Sequence, residues 1–236
     1  MSLAHPRTRS SGRRPLRLLV TAGPTREPID PVRFISNRSS GTLGYAVASE
    51  GVHRGHRVVL LSGPTALEPP RGARLEWFET AAELLRSMRR RWRWCDAVVM
   101  TAAVSDFRPR RVSAMKMGRS GALRLELVAT PDIIGALGRR KGRRVLVGCA
   151  VESTRAVARA ARKLVQKRLD LIMVTTVGRA GASPFGSGAM QATLVTSGGA
   201  VEPLGVRPKR VLASRLLDSV EGLCYGRSAR PSVRRS

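Results

Sequence analysis

Two kinds of apolar pattern alternate along the chain. Residues 16–22 (LRLLVTA), 57–61 (RVVLL), 96–104 (DAVVMTAAV), 145–150 and 171–175 are short, nearly continuous apolar runs. Runs of this kind are the signature of strands buried on both faces of a parallel sheet. Between them the apolar residues recur at helical spacing. Residues 41–52 predict a helix that Gly55 stops. Thr80 and Glu83 form a capping box opening a second helix. Its Leu84, Leu85, Met88 and Trp92 face inward, while Arg86, Arg89, Arg90, Arg91 and Arg93 lie mainly on the wet side. Residues 155–168 predict a third helix, with Val157, Ala161, Leu164 and Val165 inward, and residues 208–222 a last one. Thr130-Pro131 caps a short helix with proline in its first turn. Residues 123–128 alternate as a strand does, residues 192–196 and 200–204 form a hairpin across Ser197-Gly198-Gly199, and residues 26–40 read as a long polar loop. The expected fold is therefore α/β: a modified Rossmann-like, mostly parallel sheet with helices on both faces and an antiparallel hairpin addition.

In such sheets ligands bind beyond the carboxyl ends of the strands, so the residues just after each strand matter most. Neither G-x-G-x-x-G nor G-x-x-x-x-G-K-[ST] follows the first strand, which weighs against a standard dinucleotide dehydrogenase and a P-loop enzyme. Instead residues 23–44 read GPTREPIDPVRFISNRSSGTLG. Ser39, Ser40 and Gly41 place hydroxyls and free amides at a helix start, a ready anion site. Ordinary capping would account for one serine, but not for Arg33, Asn37 and Arg38 crowded beside it. The third strand runs into Ala102 and Asp106. An Asp there holds Mg²⁺ or a ribose hydroxyl, or else simply caps a turn. Lys116, in the flexible-looking stretch 110–121, is either solvated surface or a cation that closes over a triphosphate. Cys149 lies within a strand and reads as a small core residue. Glu152 stands at the ligand edge or caps the next helix. The three histidines and three cysteines compose no nucleophilic triad.

Composition narrows the picture. At 236 residues and 42% hydrophobic, the chain suits one sizeable α/β domain or two small ones. It has no internal repeat, no run approaching the ~18 apolar residues of a membrane span, and no secretory signal pattern. Cys95, Cys149 and Cys224 offer neither metal-ligand spacing nor a disulfide framework, which points to a reducing cytoplasm. The formal net charge is +27, and only Lys116, Lys141, Lys163, Lys167 and Lys209 are lysines among 43 basic residues. Charge of that size raises nucleic-acid binding as an alternative, although aromatic residues that would stack on bases make up only 4%. Residues 1–15 and 224–236 are expected to be basic, disordered tails around one domain at 16–223; Arg7, Arg9, Arg13 and Arg14 lie in one, and Arg227, Arg230, Arg234 and Arg235 in the other.

The segment 23–44 closely resembles the opening of the phosphopantothenoylcysteine synthetases (phosphopantothenate–cysteine ligases), the second coenzyme A biosynthesis activity of the bacterial fused flavoproteins. The resemblance continues in VVLLSGPT (58–65), TAAVSDFRP (101–109), KMGRSGALRLELVATPDII (116–134), VLVGCAVES (145–153) and KLVQKRLDLIMV (163–174), and more loosely in PFGS (184–187) and the ATLV hairpin. It implies a dimeric enzyme that uses 4′-phosphopantothenate and a nucleoside triphosphate, CTP in the typical bacterial members, to make an acyl-nucleotide and pyrophosphate. Cysteine then attacks the activated carbonyl and releases CMP. Carried over by position, Asn37 matches the asparagine tied to turnover of the acyl-nucleotide, Arg33 the arginine of the same motif, and Lys116 the lysine of the flexible loop. Gly23, Ala102, Asp106, Cys149, Lys163 and Lys167 fall in the nucleotide motifs, with Asp106 toward Mg²⁺. Ser39, Ser40 and Gly41 match the start of the anion-binding helix, expected to take the substrate phosphate. The chain departs from the family where Gly118-Arg119 follows Lys116-Met117, where Cys149 replaces an aromatic residue, where Thr175 replaces Asn, and at Gly188 to Met190, placed near the nucleotide end. A stand-alone synthetase would need a separate flavin decarboxylase as pathway partner. The remaining alternative is a non-catalytic paralogue that binds nucleotide or polyanion.

Overall fold

The computed structural model describes residues 13–119, 121–177, 185–186 and 188–228. In chain order the elements are β1 (Arg17–Ala22), β2 (Arg26–Pro28), β3 (Phe34–Ser36), α1 (Thr42–His53), β4 (Arg57–Ser62), β5 (Arg74–Trp77), α2 (Ala81–Arg91), β6 (Ala97–Met100), β7 (Phe107–Pro109), β8 (Leu127–Ala129), α3 (Ile133–Gly138), β9 (Val145–Glu152), α4 (Ala156–Gln166), β10 (Leu171–Thr176), β11 (Ala189–Thr196), β12 (Val201–Pro208) and α5 (Lys209–Ser228). Eight strands form one sheet in the order β12-β11-β10-β9-β6-β1-β4-β5. The six from β10 to β5 are parallel, and β11 and β12 add antiparallel at the β10 edge.

The continuous apolar runs work as the pattern requires, because alternate side chains of each central strand enter opposite layers. On one side Leu18, Val20, Leu60 and Val99 meet α1 and α5 through Val47, Leu212, Leu216 and Val220. On the other side Leu19, Leu61, Val98 and Leu146 meet α2, α3 and α4 through Leu84, Met88, Ile133 and Leu164. The capping box forms as expected: the Glu83 amide donates to the Thr80 hydroxyl, and the Glu83 carboxylate accepts from the Thr80 amide. Among the described residues no helix is long and apolar enough to cross a membrane.

Several local expectations are corrected. The polar loop 26–40 contains a short hairpin, β2 with β3. The strand expected at 123–128 shrinks to β8, which pairs with β7 outside the main sheet. The short helix is capped by Asp132, whose carboxylate accepts from the Gly135 amide, rather than by Thr130. On α4 it is Ala160 and Leu164 that are buried, while Val157 and Val165 are 38% and 80% exposed. Arg155, in the left-handed region at φ 50, sets the entry of that helix.

The last helix reaches Ser228, so residues 224–228 belong to it and not to a tail. The described end of the other tail packs against this helix. Arg13 stacks on the Tyr225 ring, the Tyr225 hydroxyl donates to the Arg14 carbonyl, and Arg14 pairs with Asp96 at 3.1 Å. Residues 1–12 and 229–236, the greater part of both expected tails, lie outside the described residues.

Candidate active site

Two adjoining cavities open at the carboxyl ends of the central strands. The smaller, ≈ 550 Å³, is walled by Ser39, Ser40 and Gly41, by the first turn of α1, and by Thr175, Met190 and Lys209. The larger, ≈ 1990 Å³ including its open mouth, takes in Asn37, Arg38, Ala102, Asp106, Asp132, Lys163 and Lys167. Ala103, Cys149, Ala150, Val151 and Phe185 belong to both walls. The cavities therefore meet where β9 ends.

Local backbone chemistry builds the smaller cavity. Gly41 stands at φ 76 as the N-cap of α1 and gives the helix no side-chain cap. A Cβ at this position would come within 2.8 Å of the Thr65 methyl, so only glycine lets α1 start pressed against the second Gly-Pro-Thr turn. Ser39 accepts the Gly41 amide at 3.3 Å, and the Ser40 hydroxyl lies 2.7 Å from that of Thr42. Hydroxyls and a helix start therefore converge as the sequence suggests. Gly23 lines neither cavity. Its φ of 76 and its packing against Gly63 and Gly41 make it a turn residue beside the start of α1.

In the larger cavity the cations are held by carboxylates. Lys163 donates to Glu152 at 2.6 Å, Arg159 adds a second contact at 3.2 Å, and Lys167 pairs with Asp132 at 2.8 Å. Burial would raise the Glu152 pKa, but the hydrogen bond and charge of Lys163, then those of Arg159, hold it below the usual range. Asn37 lies at the mouth, its amide donating to the Ala103 carbonyl at 3.2 Å. Burial pushes the Cys149 thiol up to about 12, so it stays protonated near neutral pH and is no nucleophile.

Arg33 and Lys116 are not brought into either cavity. Arg33 is held outside by Asp30, with Nη1 2.7 Å from Oδ2 and also donating to the Met117 carbonyl at 3.0 Å. The Met117 amide donates back to Asp30 at 3.2 Å. Lys116 itself is exposed. Asp30, which sequence reasoning passed over, thus ties the Arg33 segment to the Lys116 loop. Burial opposes its charge, yet the amides of Val32, Met117 and Arg33 and the Arg33 side chain bring its pKa down to about 2. The Asp-x-x-Arg spacing was the available signal for this pair. The departures also move: Met190 and Thr175 line the smaller cavity and not the one holding Lys163 and Lys167. Within PFGS, positions 184 and 187 lie outside the described residues.

Asp106 is an exposed carboxylate at the rim of the larger cavity. Among the described residues no three His, Cys, Asp or Glu gather to hold a metal on their own. That donor set fits Mg²⁺, which takes one or two carboxylates and completes its shell with phosphates and water.

Residues 14–223 match the family described as the DNA/pantothenate metabolism flavoprotein C-terminal domain. The chain is 38% identical over 208 residues to the coenzyme A biosynthesis bifunctional protein CoaBC of Bacillus subtilis, covering 87% of this chain and 51% of that protein. It is likewise 38% identical over 226 residues to the CoaBC protein of Mycobacterium tuberculosis, covering 90% and 54%. The chain thus spans about half the length of these curated relatives. The crystal structure of a CoaBC C-terminal domain superposes with a TM-score of 0.77 at 35% identity, covering 89% of this chain and 96% of that one. Cab2 in complex with phosphopantothenate-cysteine gives a TM-score of 0.73 at 17% identity over 91% and 88%, a likeness of fold alone.

Proposed function

Because the chain belongs to the DNA/pantothenate metabolism flavoprotein C-terminal domain family, we propose that it is a phosphopantothenate–cysteine ligase of coenzyme A biosynthesis. The observation that carries this reading is the pair of cavities sharing one wall, an anion-binding helix start in one and two lysines in the other. The smaller would take 4′-phosphopantothenate with its phosphate on Ser39, Ser40 and Gly41. The larger would take the triphosphate, with Lys163 and Lys167 exchanging carboxylate partners for phosphate oxygens and Ala102 beside the nucleotide.

The substrate carboxylate then meets the α-phosphorus at the shared wall. One of its oxygens forms the new bond to phosphorus as the bond to pyrophosphate breaks, leaving an acyl-nucleotide. Cysteine's amine next attacks the acyl carbon; the amide forms, the nucleoside monophosphate leaves with the bonding pair, and the amine loses a proton. Neither step needs a protein nucleophile, only positioning and charge neutralisation, in keeping with a Cys149 thiol held protonated. Asn37, fixed on the Ala103 carbonyl between the cavities, is placed to orient the activated carbonyl. Mg²⁺ would be held by Asp106, where it would offset the charge of the triphosphate. Arg33 and Lys116 act from outside the cavities, through the Asp30 link.

CTP is the expected nucleotide, and the cytoplasm the expected compartment, in keeping with Cys95, Cys149 and Cys224 as free thiols. A homodimer belongs to the reading: Val32, Phe34, Phe107, Val112 and Leu127 are 44–59% exposed on and beside the two small hairpins, an apolar surface suited to a second copy. A phosphopantothenoylcysteine decarboxylase would consume the product. The test is pyrophosphate release from purified protein given 4′-phosphopantothenate, cysteine, Mg²⁺ and each nucleoside triphosphate in turn. Release that depends on phosphopantothenate supports the reading; no release with any triphosphate overturns it.

A further inference from the structure

Besides Ser39 and Ser40, the wall of the smaller cavity carries Lys209, which no motif singled out, and Thr175, which stands where the resemblance implies Asn. Lys209, the first residue of α5, is 4% exposed yet lines the cavity. Its ammonium donates to the Gly186 carbonyl, and the Ser40 hydroxyl donates to the same oxygen at 3.4 Å. One oxygen is therefore already shared between the serine at the start of α1 and the lysine at the start of α5. Thr175, at the end of β10, is 5% exposed. The residue lines the same cavity, and its buried hydroxyl has no hydrogen-bond partner among the described residues.

Both features run against local stability. A cation in the first turn of a helix opposes the macrodipole, and burial lowers the Lys209 pKa from its ordinary value. A buried hydroxyl without a partner carries a desolvation penalty. An anion in the cavity reverses both effects at once. The use of lysine points the same way. In a chain with only five lysines among 43 basic residues, Lys163 and Lys167 line the larger cavity and Lys141 pairs with Asp170, away from both cavities. Lys209 is the lysine that lines the smaller cavity, where its compact ammonium offers three donors.

Resting on the ligase reading, we infer that Lys209 and Thr175 complete the site for the substrate's phosphate monoester, with Lys209 as the binding residue that selects the phosphorylated acid over its unphosphorylated form. The phosphate carries close to two charges near neutral pH. Its terminal oxygens would be met by hydroxyls and amides of the 39–41 segment together with the Lys209 ammonium and the Thr175 hydroxyl.

The experiment compares wild type, Lys209→Gln, Lys209→Arg and Thr175→Val, using 4′-phosphopantothenate and pantothenate as alternative acids. Calorimetric titration with inorganic phosphate, without nucleotide, is run in parallel. Lys209→Gln should raise the KM for phosphopantothenate about 10- to 100-fold, the worth of a hydrogen bond to a charged group. The KM for CTP should stay within about twofold, the preference over pantothenate should fall with the rise in KM, and phosphate binding should weaken in step. Lys209→Arg should recover part of each loss, and Thr175→Val should cost about 5- to 30-fold on the same acid. Undiminished discrimination by Lys209→Gln in an active background overturns the inference and leaves the ligase intact. No turnover by wild type overturns the ligase reading, and phosphate binding by wild type against Lys209→Gln then decides the site alone. Should Lys209→Gln fail to fold, Lys209→Arg and Thr175→Val decide it: unchanged KM in both overturns the inference.

Discussion

Thr175→Val should make the protein more stable and a worse enzyme, and the two effects have separable magnitudes. The Thr175 side chain is buried at 5% exposure, and its hydroxyl oxygen has no partner among the described residues. Leaving a buried polar group unsatisfied costs about 1–3 kcal/mol, and valine replaces the hydroxyl with a methyl group of similar shape. Because the residue lines a cavity rather than the packed core, the lower part of that range applies, about 1–2 kcal/mol of stabilisation. For a domain of this size each kcal/mol raises Tm by about 2–4 °C, so the ligand-free variant should melt about 2–8 °C higher. With phosphopantothenate the sign reverses, since the lost hydrogen bond is worth about 1–2 kcal/mol, a 5- to 30-fold rise in KM. Ser105 supplies the control: its hydroxyl is also buried without a partner, but Ser105 lines neither cavity. Ser105→Ala should raise Tm by about 2–4 °C and leave every KM unchanged. Thermal unfolding with and without inorganic phosphate reads both effects, because a ligand stabilises by RT ln(1 + [L]/Kd). A Thr175→Val protein that melts no higher than wild type, with the wild-type KM, refutes the reasoning.

Asn37→Asp exchanges the donor on the Ala103 carbonyl for a negative acceptor; pyrophosphate should be released in a stoichiometric burst, with acyl-nucleotide accumulating in rapid-quench samples. Absence of any intermediate removes the assigned role. Lys163→Met should raise the KM for the triphosphate at least tenfold while sparing that for phosphopantothenate, because Lys163 lines only the larger cavity; an equal effect on both substrates contradicts the division of labour between the cavities. Acid stability should follow Asp96, whose carboxylate binds Arg14 and Arg17. Burial would raise its pKa, but the Arg17 and Arg14 contacts bring it down to about 2, against about 3.9 in an unfolded chain. Its contribution is therefore complete above pH ~4 and is lost as the pH falls toward 2. Asp96→Asn should lower the urea midpoint at pH 7 and flatten its decline between pH 4 and 2; an unaltered pH profile rules out this assignment.

What the sequence made legible follows from how each element is buried. β1, β4, β6, β9 and β10 lie in the middle of the parallel sheet, so their apolar runs are uninterrupted and easily read. The hairpins β2–β3 and β7–β8 are built from three-residue strands, exposed at two of three positions in β3, β7 and β8, too short for alternation to register. At the sheet edge, β5 (RLEW) carries two charges in four residues and has no fully buried position. On α4 two stripes compete, Val157-Ala161-Val165 against Ala160-Leu164. Nothing in the hydropathy separates them; the helix enters through Arg155 in the left-handed region and buries Ala160 and Leu164. Of the site, Asn37, Ser39, Ser40, Gly41, Ala102, Asp106, Cys149, Lys163 and Lys167 come together. All but Cys149, which lies within β9, stand past a strand or at the helix that follows, where the Rossmann-like rule directs attention. Lys209 was missed because it arrives from the far end of the chain, after the antiparallel addition. A lysine in the first turn of a helix, against the macrodipole, was the signal available.

The net charge of +27 also takes on a different meaning once it is located. A uniform basic surface would draw polyanions everywhere, but the larger cavity is close to neutral by itself. Arg38, Lys163 and Lys167 stand against Asp106 and Asp132, with Glu152 behind them shared between Lys163 and Arg159. Each lysine is held by a carboxylate before any phosphate arrives, which fixes its position and sets a cost for displacing the acid. On the proposed reading, bringing in a triphosphate would then require neutralisation from elsewhere, which would give a divalent cation at Asp106 a thermodynamic part as well as a chemical one. The excess arginines lie elsewhere, as on α2, whose last turn carries Arg89, Arg90 and Arg91 where the macrodipole favours cations. Attraction of that diffuse kind falls steeply with salt, whereas exchange of paired ions inside a cavity largely conserves the number of contacts and is screened less. The KM for the triphosphate should therefore rise much less between 50 and 200 mM salt than the protein's nonspecific affinity for polyanions falls, and parallel slopes for the two would place nucleotide binding on the diffuse surface charge instead.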